Sequence, residues 1–254
     1  MKLNEAPCVY EAESHTYTDK ESGKLLPGVT SILGHMNKGF LAPWAAKEAV
    51  TFLQDKLMKI KKMDKAEFLL LLDEAKNSWR RKGDDAKESG TIAHDWIEEY
   101  LKGNKQELPA DEKAKHSVEA FLNWENENKV EWLHSEIVVG SKVHEFGGKI
   151  DAIAILNGRK TLIDFKTSNQ ISKDYFLQTA AYQLAVEEMG GEIEQRYILR
   201  ISKNGDGFET LVVPTPYELD VKTFLALRQI QRWDAFVNNK GRGITDDKGK
   251  IITN

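Results

Sequence analysis

The sequence contains very little cysteine: Cys8 is the only one among 254 residues. One thiol excludes an intrachain disulfide and any zinc or iron–sulfur site that requires four cysteines. No apolar run approaches the roughly 20 residues of a membrane span, and the N-terminal residues lack the apolar core of a secretory signal. We therefore expect no membrane association and a reducing, cytoplasmic location in a bacterium or a phage-infected host cell.

A strong excess of charge of one sign is also missing, since the net charge is −4. The charges are nevertheless unevenly distributed: residues 38–82 hold eleven Lys/Arg and six Asp/Glu, a net of +5, which leaves −9 for the rest. A basic segment beside a carboxylate-rich metal centre produces this asymmetry, and so does an ordinary solvated helix surface. The charge distribution alone does not distinguish a basic segment beside a metal centre from an ordinary solvated helix surface.

The pattern of apolar residues predicts helices first and a strand-rich unit afterwards. Residues 8–32 favour a hairpin with its turn at 20–23. From Glu131 onwards, short segments rich in Ile, Val and Leu favour strands, with one helix from about Ser172 to Met189 between them. The pattern predicts four helices before Glu131: Pro43 to about Lys62, Asp64 to Gly83, a third from Thr91, and about Asp111 to Asn128. The fold class is therefore predicted as α/β.

We expect three segments within one compact unit: a hairpin and helical arm at 1–130, an α/β core at 131–240 and a polar tail at 241–254.

Two acidic positions interrupt neighbouring apolar strands. Asp164 and Lys166 alternate along one predicted strand, so their side chains share a face about 7 Å apart. A turn at Asn157-Gly158 would bring Asp151 of the preceding strand beside Asp164. Hard oxygen ligands of this kind suit Mg²⁺ or Mn²⁺. The alternative is a structural one, in which both carboxylates form ordinary salt bridges with Lys149 and Lys166.

Five short motifs follow one another along the chain: Gly90–His94, Glu136 on the first core strand, Gly148-x-x-Asp151, Asp164-x-Lys166 and Gln178-x-x-x-Tyr182. Together they resemble the PD-(D/E)XK nuclease superfamily, and in particular its RecB-like exonuclease branch. The chain is similar to stand-alone phage and bacterial members and to the mitochondrial genome maintenance exonuclease. The resemblance covers roughly residues 8–190.

The resemblance implies a restriction-endonuclease-like core, with a central mixed sheet flanked by helices, and hydrolysis of DNA with one or two Mg²⁺ or Mn²⁺ ions. Members with an iron–sulfur cluster need four cysteines, so no such cluster is expected here. The implied metal ligands are His94, Asp151, Asp164 and the backbone carbonyl of Phe165. The implied catalytic residues are Asp151, Asp164, Lys166, Gln178, Tyr182 and Glu136.

A DNA strand must also be held, and cations and stacking aromatics suit that task. Arg80, Arg81 and Lys82 lie ahead of the predicted His94 helix, and Tyr182 could stack on a base or donate a hydrogen bond. We expect a metal-dependent exonuclease acting on single-stranded or end-exposed DNA in replication, recombination or repair. The alternatives are a structure-specific endonuclease and a non-catalytic DNA-binding or recombination module. No Gly-x-x-x-x-Gly-Lys-Ser/Thr loop occurs, so unwinding would need a recombination or helicase partner protein.

Overall fold

The computed structural model describes residues 1–36, 39 and 41–238. None of the helices in these residues is long and apolar enough to span a membrane. The strands are β1 Cys8–Glu11, β2 Thr16–Asp19, β3 Leu25–Leu26, β4 Val130–Ser141, β5 Phe146–Leu156, β6 Arg159–Lys166, β7 Gln195–Ile201 and β8 Phe208–Val212. The helices are α1 Val29–Leu33, α2 Leu41–Asp55, α3 Leu57–Ile60, α4 Lys65–Leu101, α5 Glu112–Glu127, α6 Asp174–Glu188 and α7 Tyr217–Asn238.

A five-stranded sheet in the order β4-β5-β6-β7-β8 forms the centre of the protein. β6 and β7 run parallel because α6 carries the chain across between them, and the other neighbours are antiparallel. Asn157 and Gly158 both have positive φ, 52° and 77°, as a tight two-residue hairpin requires. The predicted mixed sheet flanked by helices is confirmed.

The two faces of the sheet carry separate apolar cores. On one face, Leu162 packs with residues of α1, α6 and α7. On the other, Ile163 and Phe165 pack with residues of α4 and α5. This alternation along β6 directs Asp164 and Lys166 to the α6 face, because successive strand residues point to opposite sides.

The predicted N-terminal hairpin is wrong in part. The turn at 20–23 exists, but it joins β2 to β3, and a second turn separates β1 from β2. The segment after Pro27 is not a strand: Val29, Ile32 and Leu33 of α1 are buried against the α6 face of the sheet.

The predicted break between two helices at Gly83 and Thr91 is also wrong, because α4 is one helix of 37 residues. Its start is as predicted, since the Asp64 carboxylate accepts from the Glu67 amide and the Glu67 side chain accepts from the Asp64 amide. Each internal glycine costs a helix up to about 1 kcal/mol. Burial of Ala93 and Ile97 helps to offset that cost.

The predicted polar tail at 241–254 lies outside the described residues. The division into an arm and a core stays a prediction.

Candidate active site

The candidate active site lies where β5 and β6 separate. Their paired residues end with Ala152 and Ile163. One position further on, Asp151 faces Asp164, and the Asp151 carboxylate accepts a hydrogen bond from the Phe165 amide at 2.7 Å. The Phe165 amide is therefore bonded to the side chain of Asp151 and not to the backbone of β5, and β5 and β6 diverge from this point. We call Asp151, Asp164 and Lys166 at this point the carboxylate fork.

Asp164 is the most deeply buried member of the fork, with 1% of its side chain exposed. The Lys166 ammonium lies 2.6 Å from Asp164 Oδ2. That oxygen has no hydrogen bond of acceptable geometry within the described residues. The alternative interpretation, in which both carboxylates form ordinary salt bridges, is therefore correct for Asp164, which pairs with Lys166.

Burial raises the pKa of Asp164 to about 6, against the lowering effect of the Lys166 ammonium. Burial also raises the pKa of Asp151, although the Lys166 ammonium and the Phe165 amide favour its charged form. Two carboxylates that are held together in a buried place retain protons more tightly, because one lysine does not neutralise both. A divalent cation would compensate the remaining negative charge.

His94 of α4 lies beside the fork, with its ring centroid 6.3 Å from that of Phe165. Burial and then the Lys166 ammonium lower the pKa of His94 to about 4. The imidazole is therefore neutral at pH 7, as a metal ligand must be. Among the described residues, no three His, Cys, Asp or Glu side chains converge on one ion position. The donor types fit Mg²⁺ or Mn²⁺, and ligation by His94 and the Phe165 carbonyl stays a prediction.

Gly90 lets α4 approach the fork. A Cβ on Gly90 would lie 2.6 Å from the Thr167 hydroxyl oxygen, directly after Lys166. His94 follows one helical turn later, so the Gly90 contact sets how closely the imidazole approaches Phe165. The close approach of Thr167 thus explains why the Gly90–His94 motif begins with a glycine.

We expect Gly90→Ala to lower kcat about tenfold or more while the protein stays folded, because the new methyl group forces α4 away from Thr167. A displacement of about 1 Å near the chemistry can cost 10²-fold. Steady-state kinetics and circular dichroism would test this. Gly90→Ala/Thr167→Ala removes the clashing oxygen and should recover most of the activity. Gly83→Ala is the control, since a Cβ there meets no neighbouring atom within 4 Å. Equal losses in both single variants would contradict the steric explanation.

Gln178 and Tyr182 of α6 form one unit: the Gln178 amide donates to the Tyr182 hydroxyl at 2.9 Å. Tyr182 fits against β5 because Gly148 has no side chain, and a Cβ there would lie 2.6 Å from the tyrosine ring. Burial and then the nearby Asp164 carboxylate raise the pKa of Tyr182. Only 5% of Tyr182 is exposed, so no ring face is available for a base and stacking by Tyr182 is wrong. A role for its hydroxyl stays a prediction.

Glu136 lies across from Asp151, between the paired positions Ser135–Ala152 and Ile137–Ile150. Its φ of 54° departs from extended backbone and marks an irregularity in β4. Burial raises the pKa of Glu136 to about 7.

Lys149 pairs with Glu136, and not with Asp151 as the structural alternative supposed. Its ammonium also lies 3.5 Å from the carboxylate of Glu98, one turn after His94 on α4. This ion-pair network ties α4 to β4 and β5 beside the fork. Glu98 was not among the predicted site residues; its position four residues after His94 was the available signal.

Arg80, Arg81 and Lys82 do not lie beside the site, and their predicted binding of DNA stays a prediction. In the continuous α4 they lie about 18–21 Å from His94 along the helix axis. Lys82 pairs with Glu48 at 2.7 Å, and the Arg81 guanidinium lies 5.4 Å from the Phe52 ring centroid. These contacts attach α4 to α2.

A mixed sheet with two acidic strand residues and a lysine at a fork is the architecture of a nuclease core. The model of the PD-(D/E)XK nuclease superfamily matches residues 71–251, and the chain belongs to this superfamily. Comparison with curated protein sequences returned no significant match.

Two solved structures are similar to this chain over part of its length. A proposed exonuclease from Eubacterium rectale is 14% identical, with a TM-score of 0.37, over 56% of this chain and 68% of that one. The protein SSO0001 is 20% identical, with a TM-score of 0.29, over 56% of this chain and 58% of that one. At these scores the family match, and not either structure, defines the relationship.

Proposed function

We propose that this protein is a Mg²⁺- or Mn²⁺-dependent DNA exonuclease that acts on single-stranded or end-exposed DNA. The observation that carries the proposal is the carboxylate fork, where Asp151 accepts from the Phe165 amide at 2.7 Å and Lys166 lies 2.6 Å from Asp164. Nucleases of this superfamily generally use divalent metal ions. A resident cation would lower the pKa of a bound water and compensate charge on a phosphoryl oxygen.

Each fork residue has a separate task in this proposal. Asp151 and Asp164 supply the anionic oxygens that hold a cation. Lys166, whose pKa the Asp164 and Asp151 carboxylates raise against the effect of burial, stays an ammonium. It donates a hydrogen bond to the attacking water or to the scissile phosphate and offsets the charge that develops there.

Residues around the fork hold these groups in place. Gln178 and Tyr182 form the wall on the α6 side, where the Tyr182 hydroxyl is near enough to Asp164 and Asp151 for both to raise its pKa. His94 adds a neutral nitrogen ligand from α4. Glu136, held by Lys149, completes the acidic side and binds the cation directly or through water.

The choice of an exonuclease rests on the resemblance to the RecB-like branch, so the decisive test compares DNA with and without ends. Linear and covalently closed circular single-stranded DNA would be incubated with Mg²⁺ or Mn²⁺, with RNA of the same sequence in parallel. We expect end-labelled linear DNA to shorten while the circle stays intact. Cleavage of the circle at a similar rate would instead identify an endonuclease, and no hydrolysis of either would support a non-catalytic module.

A further inference from the structure

A second group of basic residues lies where the first turn of α5 meets the loop after β7. His116 Nδ1 is 3.4 Å from the carbonyl oxygen of Lys203 and holds that loop against α5. Burial lowers the pKa of Lys203, and the ammonium of Lys113 lowers it further. Lys113 lies three residues before His116 on α5 and therefore on the side of the helix that faces this loop. Two like charges on facing elements cost free energy until an anion binds between them. We call Lys113 and Lys203 the lysine pair.

Among the described residues, the lysine pair has no carboxylate at ion-pair distance, although the Ala114 amide and then the Lys113 ammonium lower the pKa of the nearby Asp111 carboxyl. Within the part of the chain that the structure describes, neither Lys113 nor Lys203 forms an ion pair. The nearby Asp111 carboxylate caps α5, accepting from the Ala114 amide at 2.7 Å. By contrast, Lys82 of α4 and Arg200 of β7 each have a carboxylate at 2.7 Å. The lysine pair thus differs from the basic residues that serve the fold.

The lysine pair lies at the same end of the sheet as the carboxylate fork, although α5 packs on the face opposite to the one to which Asp164 and Lys166 point. Lys166 is the register partner of Arg200 in the parallel strands β6 and β7. Lys203 follows three residues later, in the turn just beyond the end of β7. The first turn of α5 lies at this end too, because its Ala114 shares an apolar core with Ala93 of α4, and Gly90, one turn before Ala93, adjoins Thr167.

We propose that Lys113 and Lys203 bind the phosphate backbone of the DNA strand next to the scissile bond. The inference rests on the proposed function and adds a binding site to it. Non-specific strand binding requires cations that follow the backbone near the reacting phosphate. The lysine pair meets that requirement, whereas Arg80–Lys82 lie about 18–21 Å from His94.

Binding without turnover tests the lysine pair directly. Fluorescence anisotropy would follow a labelled oligothymidylate of about 20 nucleotides in EDTA, between roughly 50 and 200 mM salt. We expect Lys113→Ala/Lys203→Ala to weaken binding about tenfold. The magnitude of the slope of log K, the association constant, against log salt concentration should fall by about 1.4, because each phosphate contact on a single strand contributes about 0.7. Lys59→Ala/Lys62→Ala removes two exposed lysines from the basic segment and is the matched control, with unchanged binding expected.

A charge-conserving variant separates binding from folding. Lys113→Arg/Lys203→Arg should bind like the wild type, because the contacts are electrostatic. Unchanged affinity in the alanine variant, or equal losses in the control, would overturn the inference. Hydrolysis of the same oligonucleotide with Mg²⁺ or Mn²⁺ tests the proposed function separately. A wild type that binds through the lysine pair but hydrolyses nothing contradicts the proposed function alone. Hydrolysis by the wild type, with unaltered binding by the alanine variant, contradicts the lysine pair alone.

Discussion

Lys166→Met is expected to lower kcat by about 10²–10³-fold, with a much smaller effect on KM. The substitution keeps most of the apolar stem and removes the only ammonium that lies 2.6 Å from Asp164 among the described residues. Loss of one group that stabilises developing charge costs about 10²–10³-fold. End-labelled DNA with Mg²⁺ and Mn²⁺, under single-turnover conditions, would measure the chemical step.

Lys160→Met is the matched control for this experiment. Lys160 lies on the same strand, but its ammonium pairs with Glu192 at the surface, 2.9 Å away. Its substitution should leave kcat within about twofold of the wild type, since a surface ion pair contributes little. Activity of Lys166→Met above one tenth of the wild-type value would contradict the role assigned to the ammonium.

Asp164→Asn is expected to abolish hydrolysis and yet to stabilise the metal-free protein. At pH 8, roughly 2–4 °C should be gained in Tm, which corresponds to about 1 kcal/mol for a chain of this size. The reason is that wild-type Asp164 carries a buried charge beside Asp151, while its pKa of about 6 shows that burial favours the neutral form. Because asparagine is neutral at every pH, the Lys166 ammonium is then available to compensate the negative charge of Asp151.

The pH dependence of this gain follows from the direction of the shift. Burial raises the pKa of Asp164 in the folded protein from its ordinary value of 3.8 to about 6. The stability that protonation contributes is therefore complete below about pH 3.8 and is lost as the pH rises through 6. We expect the gain in Tm of Asp164→Asn to be larger at pH 8 than at pH 5.

Addition of a divalent metal ion should make the wild type more stable than Asp164→Asn, the reverse of the order expected without metal. At about 100 times its dissociation constant, a ligand of the native state adds about 2.7 kcal/mol of stability. Mn²⁺ should therefore raise the Tm of the wild type and affect Asp164→Asn much less. Asp55→Asn, an exposed carboxylate at the end of α2, is the control and should respond like the wild type. An equal response to Mn²⁺ in Asp164→Asn would contradict a cation at the fork.

Much of the core could be predicted from the sequence because its signals are local. The Asn157-Gly158 turn fixes the register of β5 and β6, and that register alone places Asp151 across from Asp164. The capping box at Asp64 and Glu67 likewise defines the start of α4 from four residues.

Other predictions failed because they depended on distant contacts. Gly83 and Gly90 suggested a helix break by propensity, yet packing of α4 on the sheet carries the helix through both residues. The same continuity moves Arg80–Lys82 away from the site. Tyr182 was predicted to stack on a base or to donate a hydrogen bond, and the sequence did not show that the missing side chain of Gly148 makes room to bury its ring.

The sequence by itself determined the residues of the candidate site: two carboxylates, a lysine and a histidine, on elements whose periodicity is local. The tertiary structure decided which charges remain unpaired. Lys149 pairs with Glu136 and Glu98, and Lys82 pairs with Glu48, while neither Lys113 nor Lys203 forms an ion pair among the described residues. Partners so far apart along the chain leave no periodic signal, because only the packing of helices on the sheet brings them within the few ångströms at which charges interact strongly.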